Sequence, residues 1–223
     1  MIGVHVTVPV ACFRKGLARE YLETESVPPP ATCYGFLLSL VGETDRKRHC
    51  GARVTPALIG QPPVSVVLRT VWRVKKAPLG SPGNTRPDYQ QLLTGIELVI
   101  WLDSSQETAT PTLEQRVQTA LDPARRAGVS RFGGLSLGES THLVDVVELL
   151  TDDRRSRLEA GGAKAQTYLL AEQGLLGLPV WVDHVGSAGT VHVVGELVEA
   201  TDLSPPPKDR IPRIVQADSV AGA

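Results

Sequence analysis

Arg69, Arg73, Lys75, Lys76 and Arg86 all fall within residues 64–94, where Asp88 is the sole carboxylate. The whole chain carries a formal net charge of −1. Five cations in one stretch therefore make a local positive field, of the kind that binds phosphates and weakens as salt rises. Arg69 and Arg73 stand two strand steps apart on one face, a spacing suited to successive phosphates of a single strand. The planar fork of arginine makes such contacts well. The plainer alternative is a solvated hairpin with ordinary surface charge.

A second candidate is Arg131-Phe132-Gly133-Gly134, in a glycine-rich stretch that continues to Gly138. Glycines let the backbone approach a ligand, and their exposed N–H groups can cradle an anion. Arg131 would add charge and Phe132 a plane on which a base could stack. The alternative is a plain connection with Phe132 in the core, and the core is the expected place for that ring. A third candidate is the loop carrying Arg14, Lys15, Arg19 and Tyr21, placed before a helix start where free N–H groups could meet a phosphate. Its own Glu20, Glu23 and Glu25 favour self-pairing instead. Metal-free RNA cleavage would need a general base and a general acid. His5, His49, His142, His184 and His192 are scattered without a recognisable partner. No nucleotide-binding glycine fingerprint, zinc-protease motif or carboxylate pair is present.

The elements that must position these groups follow from periodicity. Ile2, Val4, Val6, Val8 and Val10 alternate with His5 and Thr7, the pattern of a half-buried strand. Pro28-Pro29-Pro30 leads into a helix in which Tyr34, Leu37, Leu38 and Val41 share a face and Gly42 ends the run. Residues 43–63 read as loop, 64–76 as a strand, and 96–102 as its partner across a Pro/Gly-punctuated excursion that suggests an arm. Thr112–Leu121 reads as a helix between Pro111 and Pro123, and Leu143–Leu150 as a strand. The order is then β-α-β-β-α-β, an α+β ferredoxin-like fold with an antiparallel sheet backed by two helices. Polar residues 151–162 separate this unit from β-rich pieces at 166–171, 178–185 and 190–199, expected to add a smaller sheet. Residues 204–223 read as an extended tail.

Composition narrows the class. The 223 residues suffice for one large domain or two small ones. Three widely spaced cysteines argue against zinc or a disulfide framework and for a reducing cytoplasm. No stretch reads as a signal peptide or membrane span.

The first strand, VPPPATCYGFLLSLVGE, the VVLRTVWRVKK…RPDYQQLLTGIELVIWL arm and SRFGGLSLGESTHLVDVVELL together resemble the fifth CRISPR-associated (Cas) protein family of the RAMP superfamily. The likeness is to its DevS-like, type I-B-related subgroup, over most of residues 1–150 and more loosely to about 200. The resemblance implies a ferredoxin-like (RRM-type) domain at 1–150 with a thumb inserted at 64–94, a smaller C-terminal β region at 151–203 and the tail at 204–223. It also implies a cytoplasmic, cofactor-free subunit of Cascade, the RNA-guided surveillance complex, that binds the 5′ handle of crRNA. Its partners would be the backbone subunit, the large subunit and, indirectly, target DNA; nothing in the sequence marks a link to transposon machinery. Carried over by position, the RNA or subunit contacts are Arg69, Arg73, Lys75, Lys76 and Arg86 with Trp72 among them, and Arg131, Phe132, Gly133 and Gly134 on the superfamily's RNA-facing loop. Arg14, Lys15 and Arg19 complete the RNA-binding set. One family branch cuts precursor crRNA with a Tyr/His/Lys constellation that has no matching motif here. The chain is therefore read as non-catalytic, with a metal-independent crRNA-processing endoribonuclease as the alternative.

Overall fold

The alternation at the N-terminus forms a strand at the heart of the sheet. The computed structural model describes residues 1–16, 21–72, 78, 80–162, 164–183 and 188–217, without the side chains of 71 and 72. Its elements are β1 (Ile2–Ala11), β2 (Tyr21–Leu22), α1 (Pro30–Leu40), β3 (Arg53–Ile59), β4 (Val64–Trp72), β5 (Thr85–Asp103), α2 (Leu113–Leu121), β6 (Val146–Leu149), α3 (Asp152–Ala160), β7 (Ala165–Leu170), β8 (Leu176–Trp181) and β9 (Val191–Ala200). The strands form one sheet in the order β6-β1-β5-β3-β7-β9-β8, with β2 and β4 also paired to β5. β5 lies between β1 and β3 and runs antiparallel to both. That is the arrangement of a split βαβ, and β6 on the other side of β1 completes the expected order.

Its second strand is β3, not the 64–76 run, so residues 43–63 are not all loop. Pro56 in mid-strand argues against a central position because it offers no N–H to a ladder. The structure accommodates it just outside the β7 ladder, which begins at Ala57. The 64–76 run instead gives β4, which pairs residue for residue with the outer half of β5 to make the arm. β5 is thus a strand of 19 residues, and the excursion expected after residue 76 is mostly β-hairpin.

The parity of β5 divides the interior. Ile96, Leu98, Ile100 and Leu102 join Val4, Val6 and Val8 beneath Leu37 of α1 and Leu113 and Val117 of α2. Val99 and Trp101 point the other way, against Leu150, Ala165, Leu203 and Leu158 of α3. The polar stretch at 151–162 is therefore a helix covering the second face. Thr151 accepts from the Arg154 N–H at its start, with Asp152 and Asp153 in the first turn. Arg154 lies 3.0 Å from Glu148 and 4.0 Å from Glu97, the two carboxylates that flank fully buried His5.

The C-terminal strands were expected to add a smaller sheet to the first. They extend the main sheet instead, because β7 pairs with the free edge of β3. The tail, described as far as residue 217, packs against the body. Gly51 N–H donates to Ile214 O and Ile214 N–H to Ala52 O, both at 2.9 Å, while Val54 N–H donates to Pro212 O at 3.0 Å. Ile211 and Ile214 are buried.

A buried ionic cluster locks the end of α1 to α2. The Glu43 carboxylate takes Arg116 and lies 3.1 Å from Arg48. His49, wholly buried, sits between Glu107 and Arg116, and Glu107 accepts from the Leu113 N–H at the start of α2. Arg116 holds the Glu43 carboxyl down at about 2.

Two outcomes follow for stability. Ile214→Ala should cost about 2–5 kcal/mol through lost burial and a residual cavity; an unchanged denaturant midpoint would show the tail to be dispensable. Because the folded-state value of Glu43 is lowered, its contribution is present above about 4.5 and is lost as pH falls through about 2. The stability gap between the parent chain and Glu43→Gln should accordingly be widest near neutral pH and close toward pH 2, as read from unfolding curves across that range.

Candidate nucleic-acid interface

Cys33, Tyr34, Phe36, Leu37, Leu38 and Leu40 bury α1 on nearly every side. What remains open is a thin strip of Ala31, Thr32, Gly35 and Ser39, none larger than threonine. This strip floors a trough of about 670 Å³ lined also by Cys12, Phe13 and Arg14, by Ser136, Gly138 and Glu139 of the glycine-rich segment, and by Arg46. Toward the start of α1 the trough shares Arg14, Thr32 and Val182 with a second cavity of about 530 Å³. That cavity adds Lys15, Glu25, Pro29 and, from the C-terminal strands, Pro179 and His192. Arg46 is fixed with its guanidinium 4.5 Å over the Trp181 ring and a 2.8 Å hydrogen bond to Val182 O.

The wall formed by the glycine-rich segment is clamped at two points of backbone-to-backbone contact. A Cβ on Gly42 (φ 67°) would lie 1.9 Å from Ser130 O, and one on Gly138 (φ 98°) 2.8 Å from Cys12 O. Neither position admits another residue without moving the segment. His142 staples the second clamp: its Nδ1 accepts from Cys12 N–H at 3.2 Å and Glu139 N–H at 3.1 Å. Two donors on one ring nitrogen require the neutral tautomer protonated at Nε2. Burial lowers the His142 pKa, opposed by the Glu139 charge. Between the clamps Arg131, Phe132, Gly133 and Gly134 are all exposed. Phe132, expected in the core, is fully exposed at 102%. Leu135 and Leu137 take the core positions instead.

The arm presents its charges differently from what composition suggests. Arg69 bonds Gln90 and lies 3.3 Å from Glu139 of the glycine-rich wall. Arg86 Nε lies 2.8 Å from buried Asp88. These residues face the body of the molecule. The alternate positions Val64, Val66, Leu68 and Tyr89 are exposed, as is neighbouring Tyr21. Trp72 ends the described part of β4 opposite Thr85, with its side chain outside the described residues. Arg19, Arg73, Lys75, Lys76 and His184 also lie outside them.

Arg14 therefore meets the glycine-rich segment around one trough, Lys15 lines only the adjoining cavity, and Arg69 borders the trough only through Glu139. Sequence reasoning did not bring Arg46, Glu25 and His192 to this site: Glu25 was read as self-pairing with the loop's cations and His192 as one of the scattered histidines. The small-residue spacing 31, 32, 35, 39 was a legible signal for the open strip. His5 and His49, read as partnerless, are buried among carboxylates. Among the described residues no group of three or more His, Cys, Asp or Glu could hold a metal ion, and no helix is long and apolar enough to cross a membrane.

No protein-family model matches the chain. Over 222 residues it is 50% identical to "CRISPR-associated protein Cas5" of Myxococcus xanthus (strain DK1622), covering 98% of this chain and 99% of that protein. Its fold is similar to a chain of a solved "CRISPR RNA-guided surveillance complex", with a TM-score of 0.56 at 13% identity over 93% of this chain and 95% of that one. It is also similar to a structure described as "Crystal structure of Cas protein", with a TM-score of 0.51 at 14% identity over 95% and 97%. These two likenesses concern the fold alone. Identity at half of all positions along essentially the full length carries more: the chain belongs to the Cas5 family of CRISPR-associated proteins.

Proposed function

We propose that this Cas5 protein is a subunit of Cascade that grips the 5′ handle of crRNA in the trough over α1. The observation that carries the reading is that trough: an open helical strip of small residues lined by Arg14, with Lys15 in the adjoining cavity and exposed Phe132 next to the segment that packs on Gly42 after the helix. Small side chains let a sugar–phosphate backbone approach, cations neutralise it, and an aromatic face stacks a base without regard to sequence. Family membership supports the CRISPR context, and the fold shared with a surveillance-complex chain supports assembly into a larger particle. The apolar outer face of the arm then lies against the neighbouring backbone subunit, with Arg73, Lys75 and Lys76 offered to RNA or to that subunit. The chain holds the guide and does not cut it.

Binding of single-stranded handle RNA should weaken steeply with salt. Each phosphate contact contributes about 0.7 to the slope of log affinity on log salt for single strands, so Arg14→Ala with Lys15→Ala should flatten it by about 1.4. An unchanged slope would remove the trough as the phosphate site. Phe132→Ala should leave the unfolding midpoint untouched, since the ring is fully exposed, and weaken RNA by roughly 1–3 kcal/mol if it stacks a base. Incubation of the purified chain with repeat RNA in EDTA should leave the RNA intact; repeat-specific cleavage would establish the endoribonuclease reading in place of this one.

A further inference from the structure

Among the described residues, Glu25 is the one carboxylate lining the cavity at the head of the trough. Its backbone is fixed, with its N–H donating to Phe13 O at 2.7 Å and its C=O accepting from the Thr24 hydroxyl at 2.9 Å. The side chain is half-buried, and among the described residues it has no hydrogen bond or ion pair within 4 Å. Burial pushes its pKa up, while the charges of Lys15 and His192 act against that rise. A partly desolvated carboxylate without donors is costly unless something supplies them.

The surroundings restrict what that can be. Arg14, Lys15 and His192 share the cavity with Glu25, so the site as a whole favours an anion. An inserted lysine or arginine of a protein partner would satisfy Glu25 but meet those cations. A divalent ion would find a single carboxylate. A nucleotide meets both demands, with a neutral base offering N–H donors and a phosphate for the cations. Pro29 and Pro179 add apolar lining for a ring, and about 530 Å³ leaves ample room for one nucleotide. A carboxylate has two acceptor oxygens and no donor. Among the bases, guanine alone presents two adjacent donors, N1–H and the N2 amino group, on its Watson–Crick edge.

We infer that this cavity takes one unstacked guanine of the bound RNA, with Glu25 accepting from N1–H and N2–H and Arg14 and Lys15 holding the adjoining phosphate. The inference rests on the proposed RNA grip and adds the base that one part of it reads. It makes the C-terminal strands, through Pro179 and His192, part of the recognition surface.

The test uses the full chain and fluorescein-labelled short oligouridylates that carry a single central guanosine, inosine or adenosine, or none. Guanosine should bind tighter than uridine by roughly 5- to 150-fold, the range of one bidentate base contact. Inosine, which lacks the N2 amino group, should fall between. Glu25→Gln and Glu25→Ala should both abolish the preference, and an unchanged unfolding midpoint reports that the variants are folded. A guanosine preference that survives both substitutions overturns the guanine pocket and leaves the grip standing. Absence of binding to every oligomer by the parent chain overturns the grip and the pocket together. Unchanged base selectivity with weakened assembly onto purified neighbouring subunits would assign the cavity to a protein side chain, and the inference falls.

Discussion

Seven of the eleven residues of α1 are buried, and a helix apolar on almost every side cannot rest on a sheet alone. It needs cover from beneath, beside and above. β3 and β8 lie beneath it and α2 beside it. The loop after the helix is tied in by the Tyr34 hydroxyl, which donates to Arg46 O at 2.8 Å. Burial of these side chains, on the order of 1.5–3 kcal/mol for each large one, makes α1 the fixed point from which the trough is measured. The open strip exists because the remaining positions hold alanine, threonine, glycine and serine. A leucine at residue 35 or 39 would either demand further cover or fill the channel.

Charge is handled in two separate ways. Within the body the carboxylates are met in buried sets: Glu43 by Arg116, and Glu107 by His49. Breaking one partner of a buried set would strand the other, which is far costlier than the net worth of the pair. The Arg69–Glu139 contact is different. Its side chains are 41% and 28% exposed, and such a pair is worth about 0–1 kcal/mol. It sets where the arm stands against the glycine-rich wall more than it holds the fold together.

Periodicity was enough for β1, α1 and α2, and the length of the excursion was enough to suggest an arm. β3 was missed because Pro56 breaks the strand signature, and only a long-range partner, β7 beginning at Ala57, makes that proline tolerable. α3 was missed because its single large apolar residue, Leu158, gives no periodic stripe, although Thr151 and the acidic first turn marked its start. The arm's cations were legible as residues but not as a surface. Their neutralising partners include Glu139, distant in sequence from Arg69 and opposed to it only once β1 and the glycine-rich segment are in place. Phe132 went astray for a related reason: composition shows an aromatic ring among glycines, while two leucines three and five residues on decide which side chain the core accepts.

The size of the trough bears on what kind of RNA contact it can make. From Ala31 to Ser39 the open strip advances eight helical residues, about 12 Å at 1.5 Å per residue. Neighbouring phosphates of a single strand lie farther apart than the rise between stacked bases, so the floor meets only a few nucleotides. A grip so short cannot follow a long guide, and its affinity cannot come from charge alone. On the proposed reading it holds an end or a bend, where unstacked bases are free to turn into a cavity at one side or onto Phe132 at the other. The protein then needs neither a large net charge nor many aromatics, which accords with −1 overall and 4% aromatic residues.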